Sequence, residues 1–146
     1  MNLKLIVPLF PLLCMVVAVP TSATTYTIDN LQIVNNTPKG MTFWSKISCD
    51  SYSMGNTIDC NDIIYGKRTG NYKIGDIIAY RNLGRTSSFS TFVVHRINDI
   101  KHINNEKVFV TKGDANLGTD YEAWNFYVKE KEIKATILAV KKVDNI

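Results

Sequence analysis

The sequence predicts a mainly β domain that follows one apolar N-terminal segment. Residues 5–20 form an apolar run without a charged side chain, and the chain of 146 residues is long enough for one further domain. After that run, short stretches rich in β-branched and aromatic residues recur between turn signals. Only residues 121–131 offer a plausible helical turn. Together these observations favour a small β-barrel or folded-over sheet preceded by one apolar helix.

The apolar segment at residues 5–20 has two interpretations. Its 16 residues fall short of the roughly 20 that a transmembrane helix needs. Residues 21–23 (TSA) supply the small side chains of a signal-peptide cleavage site, so a removed export signal and a short uncleaved anchor are equally supported. Lys4 precedes the run, and positive flanks stay in the cytoplasm. Both interpretations divide the chain into residues 1–23 and an exoplasmic domain at 24–146.

Composition excludes several classes of function. Seventeen Lys and Arg against thirteen Asp and Glu give a net charge of +4, which is spread along the chain rather than gathered in a basic block. This distribution argues against a dedicated nucleic-acid binder. Two His and three Cys do not fit the usual spacings of a zinc site, and no glycine-rich phosphate loop is present. We therefore predict neither a metal nor a cofactor.

The cysteines fit an exoplasmic domain. Cys14 lies in the apolar segment, which leaves Cys49 and Cys60 as a pair eleven residues apart. In an oxidising compartment a disulfide between them is favoured over two free buried thiols. Closing so short a loop stabilises a fold by about 2–3 kcal/mol.

The predicted strands follow one another at short intervals. Asn104 and Asn105 form a hairpin turn signal between two of them. Residues 82–90 (NLGRTSSFS) form a polar loop. The strands are predicted at residues 28–34, 46–49, 63–65, 76–81, 91–97, 107–111 and 136–143.

Catalysis without a metal requires a nucleophile and a base. A hydroxyl nucleophile needs a base to accept its proton, and the base needs an acceptor that orients it. The chain has two histidines, of which His95 lies in an apolar strand and His102 in a polar turn. On these residues alone, a structural His95 bonded to a backbone carbonyl is favoured over a general base.

Four segments of the chain carry motif-like residues: 51–58 (SYSMGNTI), 75–80 (GDIIAY), 93–97 (VVHRI) and 111–116 (TKGDAN) followed by Asp120. In order and spacing they resemble the sequence boxes of the type I signal peptidase family. They cover about half of the chain, and the third and fourth are the most specific in combination. The histidine in the third box is similar to that of the archaeal and endoplasmic-reticulum branch, since bacterial housekeeping members have lysine there.

The resemblance implies a role for each matching residue. Ser53 matches the nucleophile, and His95 matches the general base that later acts as acid. Asp120 matches the acidic residue that orients the imidazole. Asp114 matches the other aspartate of the family and is the second candidate for that role.

Two further positions of the first box match family residues, and two depart from the family. Ser51 matches a hydroxyl that can join the backbone N–H of Ser53 in an oxyanion hole. Met54 matches a residue that lines the substrate groove, although a lone methionine is often core packing. Asn56 stands where the family has proline, and Tyr52 where a small residue is usual. The cysteine pair around Ser53 is also no general feature of the family.

The resemblance implies a serine endopeptidase that cuts signal peptides from secreted precursors at small-x-small sites. It favours a retained anchor, hence a single-pass membrane protein with its catalytic domain on the exoplasmic side. The alternative localisation is secretion after signal cleavage. The expected partners are signal-peptide-bearing precursors and the membrane, not nucleic acid. Two alternative functions remain: a non-catalytic secreted β-domain that binds peptides or a partner, and a processing protease with a single substrate.

Overall fold

The computed structural model describes most of the domain that follows the apolar segment. The segment itself, Ser51, Asn56 and the predicted loop at 82–90 lie outside the described residues. Within the described residues, no helix is long and apolar enough to cross a membrane. The described residues are 26–27, 33–34, 37–49, 52–55, 57–81 and 92–143.

Strands dominate the described chain. The helical elements are α1 (Asp120–Trp124) and a 3-10 turn at Glu130–Glu132. The strands are β1 (Tyr26–Thr27), β2 (Ile33–Val34), β3 (Thr37–Pro38), β4 (Phe43–Lys46), β5 (Ile63–Lys67), β6 (Ile77–Arg81), β7 (Phe92–Ile103), β8 (Glu106–Lys112), β9 (Val128–Lys129) and β10 (Ile133–Lys141).

One sheet contains eight of these strands. Seven are antiparallel neighbours in the order β4-β5-β10-β6-β7-β8-β9. β1 adds to β10 in parallel, whereas β2 and β3 form a separate pair. The prediction of a mainly β domain is therefore confirmed.

The hairpin between β7 and β8 is confirmed. Asn104 and Asn105 have φ of 50° and 64°, the left-handed values that a two-residue hairpin turn requires at both positions. β7 runs to Ile103, well past the predicted end at residue 97. Its second half is mostly polar and lacks a clear alternation of buried and exposed side chains. This half is a strand because its backbone pairs with β8.

The helical prediction at residues 121–131 is wrong in extent. α1 begins with a capping box in which Thr119 and Glu122 bond each other's backbone N–H. It ends at Trp124, because Asn125 adopts a left-handed conformation that stops the helix. The chain then forms β9 and the 3-10 turn. Of the strand predicted at 28–34, only β2 lies within the described residues.

Two hydrophobic clusters cover the two faces of the sheet around β6. Side chains alternate along a strand, so Ile77 and Ile78 point to opposite faces. Ile78 packs with Ile97, Phe109 and their neighbours in the first cluster. Ile77 packs with Met54, Ile58, Ile64 and Val140 in the second. His95 is paired with Ile78 and therefore lies on the face of the first cluster.

Candidate active site

A chain of hydrogen bonds joins three of the predicted site residues. His95 Nε2 lies 3.0 Å from Ser53 Oγ. On the other side of the ring, His95 Nδ1 lies 2.8 Å from Asp120 Oδ2 and 3.0 Å from Oδ1. The structure thus places a hydroxyl, an imidazole and a carboxylate in sequence, each within hydrogen-bonding distance of the next.

β7 places the imidazole at the centre of this arrangement. His95 is only 7% exposed, and its strand is flanked on both sides by paired strands. Its neighbours in register are Ile78 on β6 and, one step further along β7, the Arg96–Lys112 pair on β8. Because both neighbouring strands are hydrogen-bonded to β7, the ring is held on a rigid part of the sheet.

Ser53 lies in a loop that packs against the turn after β8. The backbone N–H of Ala115 donates to the carbonyl oxygen of Ser53 at 2.9 Å. Gly113 approaches so closely that a Cβ there would lie 2.9 Å from the Cβ of Ser53. Only glycine fits this contact without a shift of the loop. The residues 113–115 therefore set the position of the nucleophile candidate.

Asp120 is the first residue of α1 and is only 5% exposed. Besides the imidazole, two hydroxyl groups donate to its Oδ2: Tyr80 at 2.7 Å and Thr111 at 2.5 Å. The carboxylate is thus buried but fully engaged, which is the condition under which a buried charge is tolerated.

Opposing effects act on the charge of Asp120. Burial raises the pKa of this carboxyl, since a charge is less well solvated in the interior. Hydrogen bonds from His95, Thr111 and Tyr80, with the charge of His95, outweigh burial and leave the pKa of Asp120 below its usual range. Asp120 is therefore ionised at neutral pH and accepts a hydrogen bond from Nδ1–H.

Asp114 has a different set of partners. Arg96 holds both of its oxygens, with Nε 2.8 Å from Oδ1 and Nη2 2.7 Å from Oδ2. Thr57 donates to Oδ2 at 2.6 Å. The hydrogen bond from Arg96 lowers the pKa of Asp114, and burial opposes it more weakly. The same bond raises the pKa of Arg96. Asp114 thus joins the Ser53 loop, β7 and the turn after β8.

The other predicted site residues have separate positions. Met54 is buried in the second core cluster, so its contacts there are those of core packing. Its role in lining a substrate groove stays a prediction. Cys49 and Cys60 form a disulfide with Cα atoms 4.6 Å apart. In the segment at 75–80, Gly75 has φ of 94°, and its carbonyl oxygen accepts a hydrogen bond from Arg96 Nη1 at 2.8 Å. Ser51 lies outside the described residues.

Sequence reasoning missed Tyr80 and Thr111. Both lie inside segments that resemble the family, but neither matches a residue to which the resemblance assigns a role. The signal that could have found them is the register of the sheet. Tyr80 pairs with Val93 and Thr111 with Ile97, which places both on the same face of the sheet as His95, on either side of it.

The arrangement is suited to proton transfer from a hydroxyl. With Asp120 accepting from Nδ1–H, the lone pair of Nε2 faces Ser53 and can take the proton of its hydroxyl.

Within the described ranges, no group of three or more His, Cys, Asp or Glu side chains is placed to hold a metal ion. No protein-family model matches the sequence, and no match to it is found among curated proteins.

Proposed function

We propose that the protein is a serine endopeptidase of the signal peptidase I type that cleaves signal peptides from secreted precursors. The observation that carries this proposal is the hydrogen-bonded chain from Ser53 through His95 to Asp120. The assignment to the signal peptidase I type rests on the resemblance of the four sequence segments to that family. A small folded sheet of the signal peptidase kind, after an N-terminal apolar helix, is the finer fold that we propose with it.

In the proposed mechanism, Ser53 Oγ attacks the scissile carbonyl carbon while its proton passes to His95 Nε2. The tetrahedral intermediate collapses as the C–N bond breaks, and the imidazolium gives that proton to the leaving amine. A water molecule then attacks the acyl-enzyme and transfers a proton to Nε2, which returns it to Ser53 Oγ. Asp120 remains a carboxylate throughout and stabilises the imidazolium.

Specificity and location follow from the resemblance. Shallow pockets that reject large side chains would select small residues at the first and third positions before the bond. Ser51 would contribute its hydroxyl to the oxyanion hole beside the backbone N–H of Ser53. We propose a single-pass anchor at residues 1–23 that keeps the site near tethered precursors and so raises its effective concentration. Secretion after cleavage of this segment is the alternative.

The test uses the full-length protein in detergent and a preprotein with an Ala-x-Ala site, with products mapped by mass spectrometry. We expect one cut at that junction. Ser53→Ala and His95→Ala should each lower its rate by at least about a thousandfold while the domain still folds. Ser45→Ala and His102→Ala are matched controls, since Ser45 bonds the backbone of its neighbour and His102 is exposed. Near-wild-type turnover of either site variant would refute the assignment.

Tyr52 supports a second candidate function. It adjoins Ser53, is 69% exposed and stands where the family has a small residue. In a protease, such a side chain would restrict access to Ser53 and so limit cleavage to a single dedicated substrate. The other candidate is a non-catalytic domain that binds peptides. A serine-reactive acylating probe separates these cases. Labelling that Ser53→Ala abolishes indicates a protease, and absence of labelling indicates a binding domain.

A further inference from the structure

We propose that Tyr80 and Thr111 are positioning residues that hold the carboxylate of Asp120 against His95 Nδ1. This inference rests on the proposed function and deepens it. Both hydroxyl groups donate to Asp120, and the Tyr80 hydroxyl also lies 3.4 Å from His95 Nδ1 and 3.3 Å from the Thr111 hydroxyl. Both residues would therefore act on the reaction through Asp120 and His95. They would make the orientation of the imidazole a property of the sheet rather than of α1 alone.

The contacts converge on a single oxygen. Oδ2 of Asp120 lies 2.7 Å from the Tyr80 hydroxyl, 2.5 Å from the Thr111 hydroxyl and 2.8 Å from His95 Nδ1. All four side chains are buried. A buried carboxylate that accepts hydrogen bonds from three donors has little freedom to rotate, because rotation would leave those buried donors without a partner.

Three adjacent strands supply these donors. Tyr80 comes from β6, His95 from β7 and Thr111 from β8, and all three project from one face of the sheet. In register, each hydroxyl-bearing residue is a diagonal neighbour of His95, a spacing that long side chains can bridge. Asp120 reaches this point from the start of α1. The backbone hydrogen bonds of the sheet therefore fix the distances among the three donors.

Tyr72 provides a matched control for Tyr80 within the same core. It belongs to the same hydrophobic cluster as Tyr80 and is equally buried. Its hydroxyl has no hydrogen-bond partner among the described residues. Tyr72→Phe and Tyr80→Phe remove the same atom from the same cluster, so the pair separates the loss of a hydroxyl from the loss of its bond to Asp120.

The consequence for chemistry concerns the tautomer of His95. A fixed carboxylate selects the Nδ1–H form and leaves Nε2 free to accept a proton from Ser53. The hydroxyl donors also favour the charged form of Asp120, in the direction in which its pKa is shifted. Without them the carboxylate can turn away, and the Nε2–H form, which cannot act as a base toward Ser53, gains population.

The experiment compares Tyr80→Phe, Thr111→Val, Thr111→Ser and Tyr72→Phe with the wild-type full chain. Cleavage gives kcat and KM, and ¹⁵N spectra of the histidine-labelled protein give the tautomer of His95. His102, the second of the two histidines, is exposed and serves as an internal reference. We expect Tyr80→Phe and Thr111→Val each to lower kcat roughly tenfold to a hundredfold with KM unchanged. Both should increase the Nε2–H form, whereas Thr111→Ser and Tyr72→Phe should behave as wild type.

Wild-type kcat and tautomer in folded Tyr80→Phe and Thr111→Val would overturn the proposal. So would an equal loss in Tyr72→Phe, because the effect would then be one of packing. If Thr111→Val does not fold, Thr111→Ala replaces it. If the wild-type protein cleaves nothing, the proposed function fails, but the tautomer measurement still decides whether the hydroxyl groups position Asp120 and His95.

Discussion

Asp114 and Asp120 lie six residues apart in one segment and have opposite surroundings. Asp114 is paired with Arg96 at the partly exposed junction of two loops and β7. Asp120 is buried and accepts from an imidazole and two hydroxyl groups. The first arrangement joins segments of the chain, whereas the second orients a titratable ring.

The role of each carboxylate depends on which hydrogen-bond donors the fold presents to it. Arg96 and His95 are neighbours on β7, so their side chains point to opposite faces of the strand. Asp114 meets one face and Asp120 the other. A change of one residue in the register of β7 would exchange the two partners, so the sheet pairing separates the structural carboxylate from the one at the site.

The largest expected effect tests this comparison directly. Asp120→Asn should lower kcat about a thousandfold or more, the size of the loss when asparagine replaces the acid of other Ser–His–Asp sites. Asp114→Asn should lower kcat by roughly tenfold or less, because Arg96 keeps its bond to the Gly75 carbonyl. Steady-state cleavage of the Ala-x-Ala preprotein measures both. The reverse order would exchange the roles that we assign.

A second, smaller effect concerns how the Ser53 loop is held. Asp114 anchors it from one side through Thr57, and the Cys49–Cys60 disulfide closes it from the other. Cys49→Ser with Cys60→Ser should lower the free energy of unfolding by about 2–3 kcal/mol in a denaturant titration. The same double variant should also lower kcat, but by less than Asp120→Asn does. Mass spectrometry that finds both thiols free in the native protein would contradict this account.

The smallest expected effect is on the pH dependence of stability, to which both carboxylates contribute. Each has a pKa below its usual range, Asp114 because of Arg96 and Asp120 because its donors outweigh burial. In the window below about pH 4 the unfolded chain therefore binds more protons than the folded one, and stability falls as the pH falls. Asp114→Asn should make this dependence shallower in denaturant titrations from about pH 2.5 to 5. Parallel curves for variant and wild type would show that the Arg96 pair does not contribute.

Much of the fold was predictable because its signals are local. The turn at Asn104 and Asn105 depends on two adjacent residues that tolerate left-handed φ, and β6 and β8 depend on short β-branched runs. The far half of β7 was not predictable, since its polar residues become a strand through pairing with β8. The end of α1 was missed because one left-handed residue, Asn125, stops a pattern that otherwise continues.

The candidate residues followed from local sequence patterns: two serines, one strand histidine, two aspartates, one methionine and a pair of cysteines. Which of these residues come into contact depends on the tertiary structure. Ser53 and Asp120 lie 42 and 25 residues from His95, and their contacts depend on loop packing and on strand register. Tyr80 and Thr111 join them only because β6 and β8 flank β7, a relation between distant segments that no local pattern contains.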